Sequence, residues 1–240
     1  MTKRICMWSG PRNISTAMMR SWENRQDCEV VDEPFYAYYL HQTKSPHPMF
    51  EQILSSQSSV YNEVANRLCT GDCTTELQYQ KHMTHHMLEG CDLSWTKALQ
   101  HCFLIRDPAF VVNSYTNSRG TCSVEAIGII RQYELYNQIS ELTGNANIPV
   151  VDSADVLSQP LETLSKFCQH LEVGFDHGML SWPAGERASD GVWAEHWYKS
   201  VRASTGFSPS VSQAFSLTKA QQDIVDEVMP FYAILKAKAL

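Results

Sequence analysis

The stretch KRICMWSGPRNISTAMMR, residues 3–20, constrains the fold most. An apolar run of strand length turns at Gly10-Pro11. It resumes at Ser15-Thr16 with Ala17, Met18 and Trp22 spaced for one helical face. Such a turn presents the first N–H groups of the helix at the carboxyl end of the strand, where they converge on an anion. The spacing is close to the phosphate loop G-x-x-x-x-G-K-[ST], but the Gly-Lys pair is absent. That Lys reaches the β- and γ-phosphates of a nucleoside triphosphate. Without it, the loop suits binding one terminal phosphate better than cleaving a triphosphate. Arg12 adds a permanent two-pronged donor, and the hydroxyls of Ser15 and Thr16 add two more. Arg12, Asn13, Ile14, Ser15 and Thr16 are therefore the first candidate binding group. The plainer reading is that Ser15 and Thr16 cap a helix while Arg12 is a surface charge.

The rest of the chain alternates strand and helix. Strands are expected at 3–8, 28–31, 76–81, 101–106 and 148–152. Helices are expected at 14–25, 49–67 (in two pieces), 108–117, 123–142, 160–171, 192–204 and 217–236, with a loop-rich 174–191. This alternation predicts an α/β fold, a single domain over 1–240, with a mostly parallel central sheet flanked by helices. Ligands in such sheets bind at the carboxyl ends of the strands.

Composition narrows the function. A net charge of -7 argues against a nucleic-acid binder with a basic surface. No run approaches the roughly 20 apolar residues of a membrane span, and the short apolar run at the N-terminus reads as a strand rather than a signal peptide. A cytoplasmic protein is expected, its eight Cys reduced. Cys69 and Cys73 are followed by His82, His85 and His86, but no second Cys pair has zinc spacing, so no metal is expected.

A second cluster, FLIRDPAFVVNSY, puts Arg106 at a strand end and Ser114 eight residues later, about two turns into a helix that opens with Asp107-Pro108. An Arg from the strand and a Ser from the helix can clamp a second phosphate. Two phosphate sites without the loop Lys point to a nucleotide with phosphates at two separate places.

These segments resemble the sulfotransferases that use 3′-phosphoadenosine 5′-phosphosulfate (PAPS), closest to a microbial-type branch. The resemblance rests on SGPRNIST, VVDEPFYAYYL, QKHMTHHML, FLIRDP and DGVWAEHWY, and covers most of the chain. It implies a three-layer P-loop NTPase-like fold. It places the 5′-phosphosulfate on Ser9–Thr16 and the 3′-phosphate on Arg106 and Ser114. It also implies release of 3′-phosphoadenosine 5′-phosphate (PAP). One departure stands out: the animal cytosolic enzymes carry a Lys in the first loop where this chain has Arg12.

Sulfuryl transfer needs cations and N–H groups around the leaving phosphate, an aligned acceptor and a base for the acceptor's proton. Glu33, at the end of the second strand, is the first candidate base, since several branches of the family place a catalytic Glu there. Its plainer reading is a turn cap, or a partner of Arg12. QKHMTHHML resembles the strand that carries a Lys and a catalytic His in the animal enzymes. Lys81, 25 residues before Arg106, is the candidate to stabilise the transferred group. The family's His falls two after that Lys, where this chain has Met83, so His82 or His85 takes the role, with His85 ranked second to Glu33. Residues 189–207, dense in aromatics, form either a lid or a helix with an aromatic core face. FYAYYLHQ, residues 35–42, lines an acceptor pocket or is plain core. The acceptor is expected to be a small alcohol, phenol or amine, and oligomeric state stays open. Two other readings remain: an inactive PAP-binding module, and a nucleotide kinase or hydrolase.

Overall fold

The computed structural model describes residues 2–208 and 215–240. Five strands, β1 (Lys3–Ser9), β2 (Cys28–Asp32), β3 (Leu77–Met83), β4 (Gln100–Ile105) and β5 (Val150–Asp152), form a parallel sheet in the order β2-β3-β1-β4-β5. The chain leaves β1 toward one edge and crosses to β4 on the other side, so the loop after β1 opens at a topological switch point.

Alternation along β1 explains the layers. Ile5 and Met7 join a core with Met18, Trp22, Tyr79 and Phe167, under helices Ser15–Glu23 and Pro160–His170. Cys6 and Trp8 face the opposite way and pack with Val64, Leu68, Phe103 and Ile139, under helices Tyr61–Thr70 and Ile129–Thr143. Strands buried on both faces are what a parallel sheet requires. A third cluster joins helix Pro108–Arg119 to helix Lys219–Lys236 through Val111, Val112, Val225 and Val228.

The predicted strands agree with the observed ones to within two residues. The helix expected at 123–142 is two helices, Val124–Ile127 and Ile129–Thr143. Gly128 lies between them at φ 65°, a left-handed conformation that interrupts the ladder. A Cβ there would meet Thr84 Oγ1 at 3.1 Å. Helices Tyr36–Thr43 and Ser153–Ser158 were not expected. The segment expected as one helix at 192–204 is two single turns, Ala194–Trp197 and Lys199–Arg202. No helix among the described residues is long and apolar enough to cross a membrane.

Candidate active site

A cavity of about 760 Å³ opens at the carboxyl ends of β1, β2, β3 and β4. The loop after β1 forms its floor. Arg12 and Ile14 both adopt left-handed backbone, φ 62° and 56°, unusual for side-chain-bearing residues. Ile14 is the N-cap of helix Ser15–Glu23 and gives no side-chain cap. Ser15 and Thr16 therefore follow the cap rather than supply it, and the first N–H groups of the helix are left for a ligand. Gly10 is required by contact: a Cβ there would lie 2.7 Å from the Ile127 carbonyl oxygen. Asn13 is buried, and its Nδ2 donates to the Leu104 carbonyl at 3.0 Å. It staples the loop to β4.

The second predicted cluster comes to the same place. Arg106, at the end of β4, donates to the Arg12 carbonyl at 2.7 Å. Arg12 Nε donates to Ser114 Oγ at 2.9 Å. Partial burial and then repulsion from Arg119 hold Arg12 below its ordinary pKa. Burial and then Arg12 do the same to Arg106, against weaker attraction from Asp107 and Asp152. Arg12, Arg106 and Arg119 all line the cavity, and none is ion-paired among the described residues. Converging cations without carboxylate partners fit a ligand with more than one negative group.

Across the cavity lies a buried network. Lys81 is 1% exposed, and its Nζ donates to Asp32 Oδ1 at 2.9 Å, Glu33 Oε1 at 2.6 Å and Tyr198 Oη at 2.6 Å. Those three bonds use all three of its donors. Burial pulls its pKa down, but Asp32 and Glu33 more than offset this, so the ammonium stays charged. Lys81 is thus neither a solvated strand-end lysine nor left with a donor for a transferred group. Tyr198 donates to Asp32 and accepts from Trp193 Nε1 at 3.1 Å. Asp32 Oδ2 also accepts from the Gly191 N–H at 3.2 Å.

Glu33 sits at φ 40°, pinned by its N–H donating to the Lys81 carbonyl at 3.0 Å. It pairs with Lys81 and not with Arg12. Its Oε2 accepts no hydrogen bond among the described residues and stands 3.9 Å from His86 Nε2. Burial raises the Glu33 pKa above its ordinary value, with Lys81 opposing and Asp32 adding.

The three histidines separate. His82 points to the opposite face of β3, where it stacks on Trp8 at 4.5 Å, and burial lowers its pKa to about 3. Residues 81 and 82 alternate across a strand, so only Lys81 reaches the cavity. His85 lines the cavity, and burial, then Arg119 and His47, bring it to about 4. His86 is stacked between Tyr36 at 4.4 Å and Tyr39 at 5.0 Å. It is 1% exposed, and neither ring nitrogen has a partner among the described residues. The reading of the segment around Lys81 did not single it out from its neighbours. An imidazole beside a carboxylate is recognised only once the fold brings Glu33 across.

Aromatics divide similarly. Tyr36 and Tyr39, one turn apart on helix Tyr36–Thr43, line the cavity, while Phe35 packs in the core with Tyr61 and Trp95. In the 189–207 segment, Trp193 is core, Trp197 faces the cavity and Tyr198 serves both. Cys69 and Cys73 bond to nearby backbone, and no group of three or more metal-binding side chains occurs among the described residues.

Known proteins share this architecture. Among solved structures, the sulfotransferase domain of the Synechococcus PCC 7002 olefin synthase superposes with TM-score 0.61 at 16% identity, covering 97% of this chain and 95% of that one. The sulfotransferase domain of the curacin biosynthetic pathway gives 0.55 at 15% identity, covering 95% and 98%. A sulfotransferase from Alicyclobacillus acidocaldarius gives 0.54 at 12%, covering 99% and 94%. At these identities the likeness is one of fold, the P-loop-like fold of those domains. Two Arabidopsis thaliana proteins, branched-chain-amino-acid aminotransferase-like proteins 1 and 2, are 32% and 29% identical over 97% of this chain. The chain spans 41% of the length of each, so their names describe much longer proteins. The sulfotransferase-domain family model matches residues 3–239. With the parallel sheet and the phosphate-type loop after β1, that match assigns the chain to the sulfotransferase-domain family.

Proposed function

We propose that the chain, acting as one catalytic unit, moves a sulfuryl group from PAPS to a hydroxyl or amine of a small acceptor. One observation carries this reading: a single cavity holds an anion cradle on one side and a buried carboxylate with an unpartnered oxygen on the other.

When bound, PAPS supplies the sulfuryl group, whose S–O bond breaks with its electron pair leaving on the phosphate as the acceptor oxygen bonds to sulfur. Arg12, the hydroxyls of Ser15 and Thr16 and the first N–H groups of helix Ser15–Glu23 neutralise the 5′-phosphate; Asn13 and Ile14 set the backbone that aims them. Arg106 and Ser114 hold the 3′-phosphate. Glu33 Oε2 takes the acceptor's proton. Burial raises the Glu33 pKa and lowers those of His85 and His86, which favours Glu33 as the proton acceptor. Lys81 positions Glu33 and favours its ionised form against burial. A hydroxyl oxygen about 2.8 Å from both Glu33 Oε2 and His86 Nε2 bridges the gap between them.

Thermal unfolding with PAP, and separately with ATP plus Mg²⁺, tests the donor. At about 100 times its Kd a ligand adds roughly 2.7 kcal/mol, on the order of 5–10 °C for a domain of this size. A shift with PAP alone is expected. A shift only with ATP and Mg²⁺ means a kinase or hydrolase. A PAP shift without sulfate transfer to any of a panel of phenols, alcohols and amines favours an inactive binding module.

A further inference from the structure

Among the described residues, Arg119 is the one cavity-lining arginine that the proposed donor phosphates do not account for. It ends helix Pro108–Arg119, where a cation commonly faces the last carbonyls of its own helix. Here the guanidinium turns away from them. It lies 4.2 Å from the Trp197 ring centre and 5.5 Å from that of Tyr115. Among the described residues its one hydrogen-bond contact is a long one, 3.4 Å from Nη2 to His47 Nε2.

The state of His47 follows from its contacts. Nδ1 lies 2.6 Å from the Pro48 carbonyl, which can only accept, so Nδ1 carries the proton. Nε2 is then an acceptor, shared by the Tyr36 hydroxyl at 2.5 Å and Arg119. Burial, then Arg119, lowers the His47 pKa, which keeps it neutral. Arg119 is exposed, so the donors it does not use within the chain face solvent and stand available to a ligand. Glu125, the other acidic group on the cavity wall besides Glu33, forms no ion pair with it.

The wall runs without a break from Arg119 to the base. Arg119 meets His47, His47 meets Tyr36, Tyr36 stacks on His86, and His86 stands 3.9 Å from Glu33. Arg12 and Arg106 form the Ser114-linked part of the wall, near enough for Arg119 to repel Arg12. A molecule with its hydroxyl at Glu33 and its body along the Tyr36 and Tyr39 side reaches Arg119 with its other end.

We propose that Arg119 is a specificity residue of the acceptor site, and that the acceptor is a small hydroxyl compound bearing a carboxylate or similar anion at the end remote from the reacting hydroxyl. The proposal rests on the sulfotransferase reading above. The guanidinium supplies a two-pronged site for that anion, and the Trp197 face holds its plane in place.

The test uses wild type and Arg119→Gln, each first titrated calorimetrically with PAP and then, saturated with PAP, with matched probes. The probes are 4-hydroxyphenylacetate against 4-hydroxyphenylacetamide, and 3-(4-hydroxyphenyl)propionate against its amide. The same pairs are assayed for sulfate transfer from PAPS. In wild type each acid is expected to bind about tenfold or more tighter than its amide. In Arg119→Gln that preference falls to within about twofold, with PAP affinity unchanged. Equal binding of acid and amide, binding of neither, or an acid preference that survives in Arg119→Gln overturns the proposal. So does a loss of PAP affinity in Arg119→Gln, which puts Arg119 on the donor. A wild-type chain that does not bind PAP fails the donor reading at the first titration, before the acceptor is tested.

Discussion

The Tyr198 hydroxyl donates to the Asp32 carboxylate at 2.8 Å, joining segments 166 residues apart. Asp32 ends β2, and Tyr198 lies between the two helical turns of the 189–207 segment. The contact ties the far wall of the cavity to the strand end that carries Glu33. Lys81 and Tyr198 reach Oε1 of Glu33, so among the described residues Oε2 keeps no hydrogen-bond partner.

Tyr198→Phe removes one buried donor and the acceptor for Lys81 and Trp193 Nε1. Leaving such groups unpartnered costs about 1–3 kcal/mol, which lowers Tm by roughly 2–10 °C in a chain of this size. Scanning calorimetry measures it. A Tm within about 1 °C of wild type would mean that the network does not hold the segment.

Glu33→Gln keeps the shape of the side chain and removes the proposed base. Sulfate transfer is expected to fall about 10²–10⁴-fold. In wild type the base works ionised, so kcat/KM rises with pH through a pKa above the ordinary glutamate value of about 4.3, because burial outweighs Lys81. A flat acid limb, or one unchanged in Glu33→Gln, assigns the proton to another group.

Arg106→Ala and Ser114→Ala separate the two halves of the proposed second phosphate clamp. A hydrogen bond to a charged phosphate is worth about 1.5–3 kcal/mol, and Arg106 can supply two where Ser114 supplies one. PAP affinity should therefore fall about 10- to 100-fold in Ser114→Ala and further in Arg106→Ala. Adenosine 5′-phosphate, which lacks the 3′-phosphate, should bind both variants nearly as well as wild type. Equal losses for the two nucleotides would place Arg106 elsewhere on the ligand.

Gly10→Ala puts a methyl 2.7 Å from the Ile127 carbonyl oxygen. The clashing atom is backbone, so the loop or the turn before Gly128 must shift, at a cost of about 1–3 kcal/mol. PAP binding should weaken together with Tm. A variant with native Tm and native PAP affinity would show that the loop accommodates the methyl freely.

Acid should destabilise the chain through its buried neutral imidazoles. His82 and His101 fall from 6.5 to about 3 and about 4, chiefly through burial. The Trp8 Nε1–H donates to His101 Nδ1 at 3.1 Å, and Nε2 lies 2.8 Å from the Thr96 carbonyl, fixing the neutral form. With the folded pKa depressed, the unfolded chain binds more protons below pH 6.5. Stability is thus full above that pH and is lost as pH falls toward about 4. Each histidine costs on the order of 2 kcal/mol at pH 5. Urea unfolding from pH 7 to 5 checks the loss, and a constant free energy over that range contradicts it.

Much of the site was legible because its groups are local in sequence. A loop from β1 into a helix, or an Arg at a strand end with a Ser two turns into the next helix, is fixed by spacing, and both clusters meet where they were expected. Glu33 could be placed for the same reason, as the residue after β2. The role of Lys81 was not legible. Its expected contact was with a ligand, but the fold gives it Asp32, Glu33 and Tyr198, and Tyr198 is 117 residues away. The histidines were indistinguishable by type, and the strand's alternation plus a short 3-10 turn sent His82 into the core and His85 and His86 to the cavity.

The sequence by itself determined the alternation of strand and helix, the buried strands and the strand-to-helix loop after β1, since period, glycine placement and apolar runs act over a few residues. Only the tertiary structure decided which charges are neutralised and which stay open. Lys81 is closed by partners from distant segments, while Arg12, Arg106 and Arg119 converge without an ion pair among the described residues. Electrostatic roles depend on distance and burial in three dimensions, which spacing along the chain does not record.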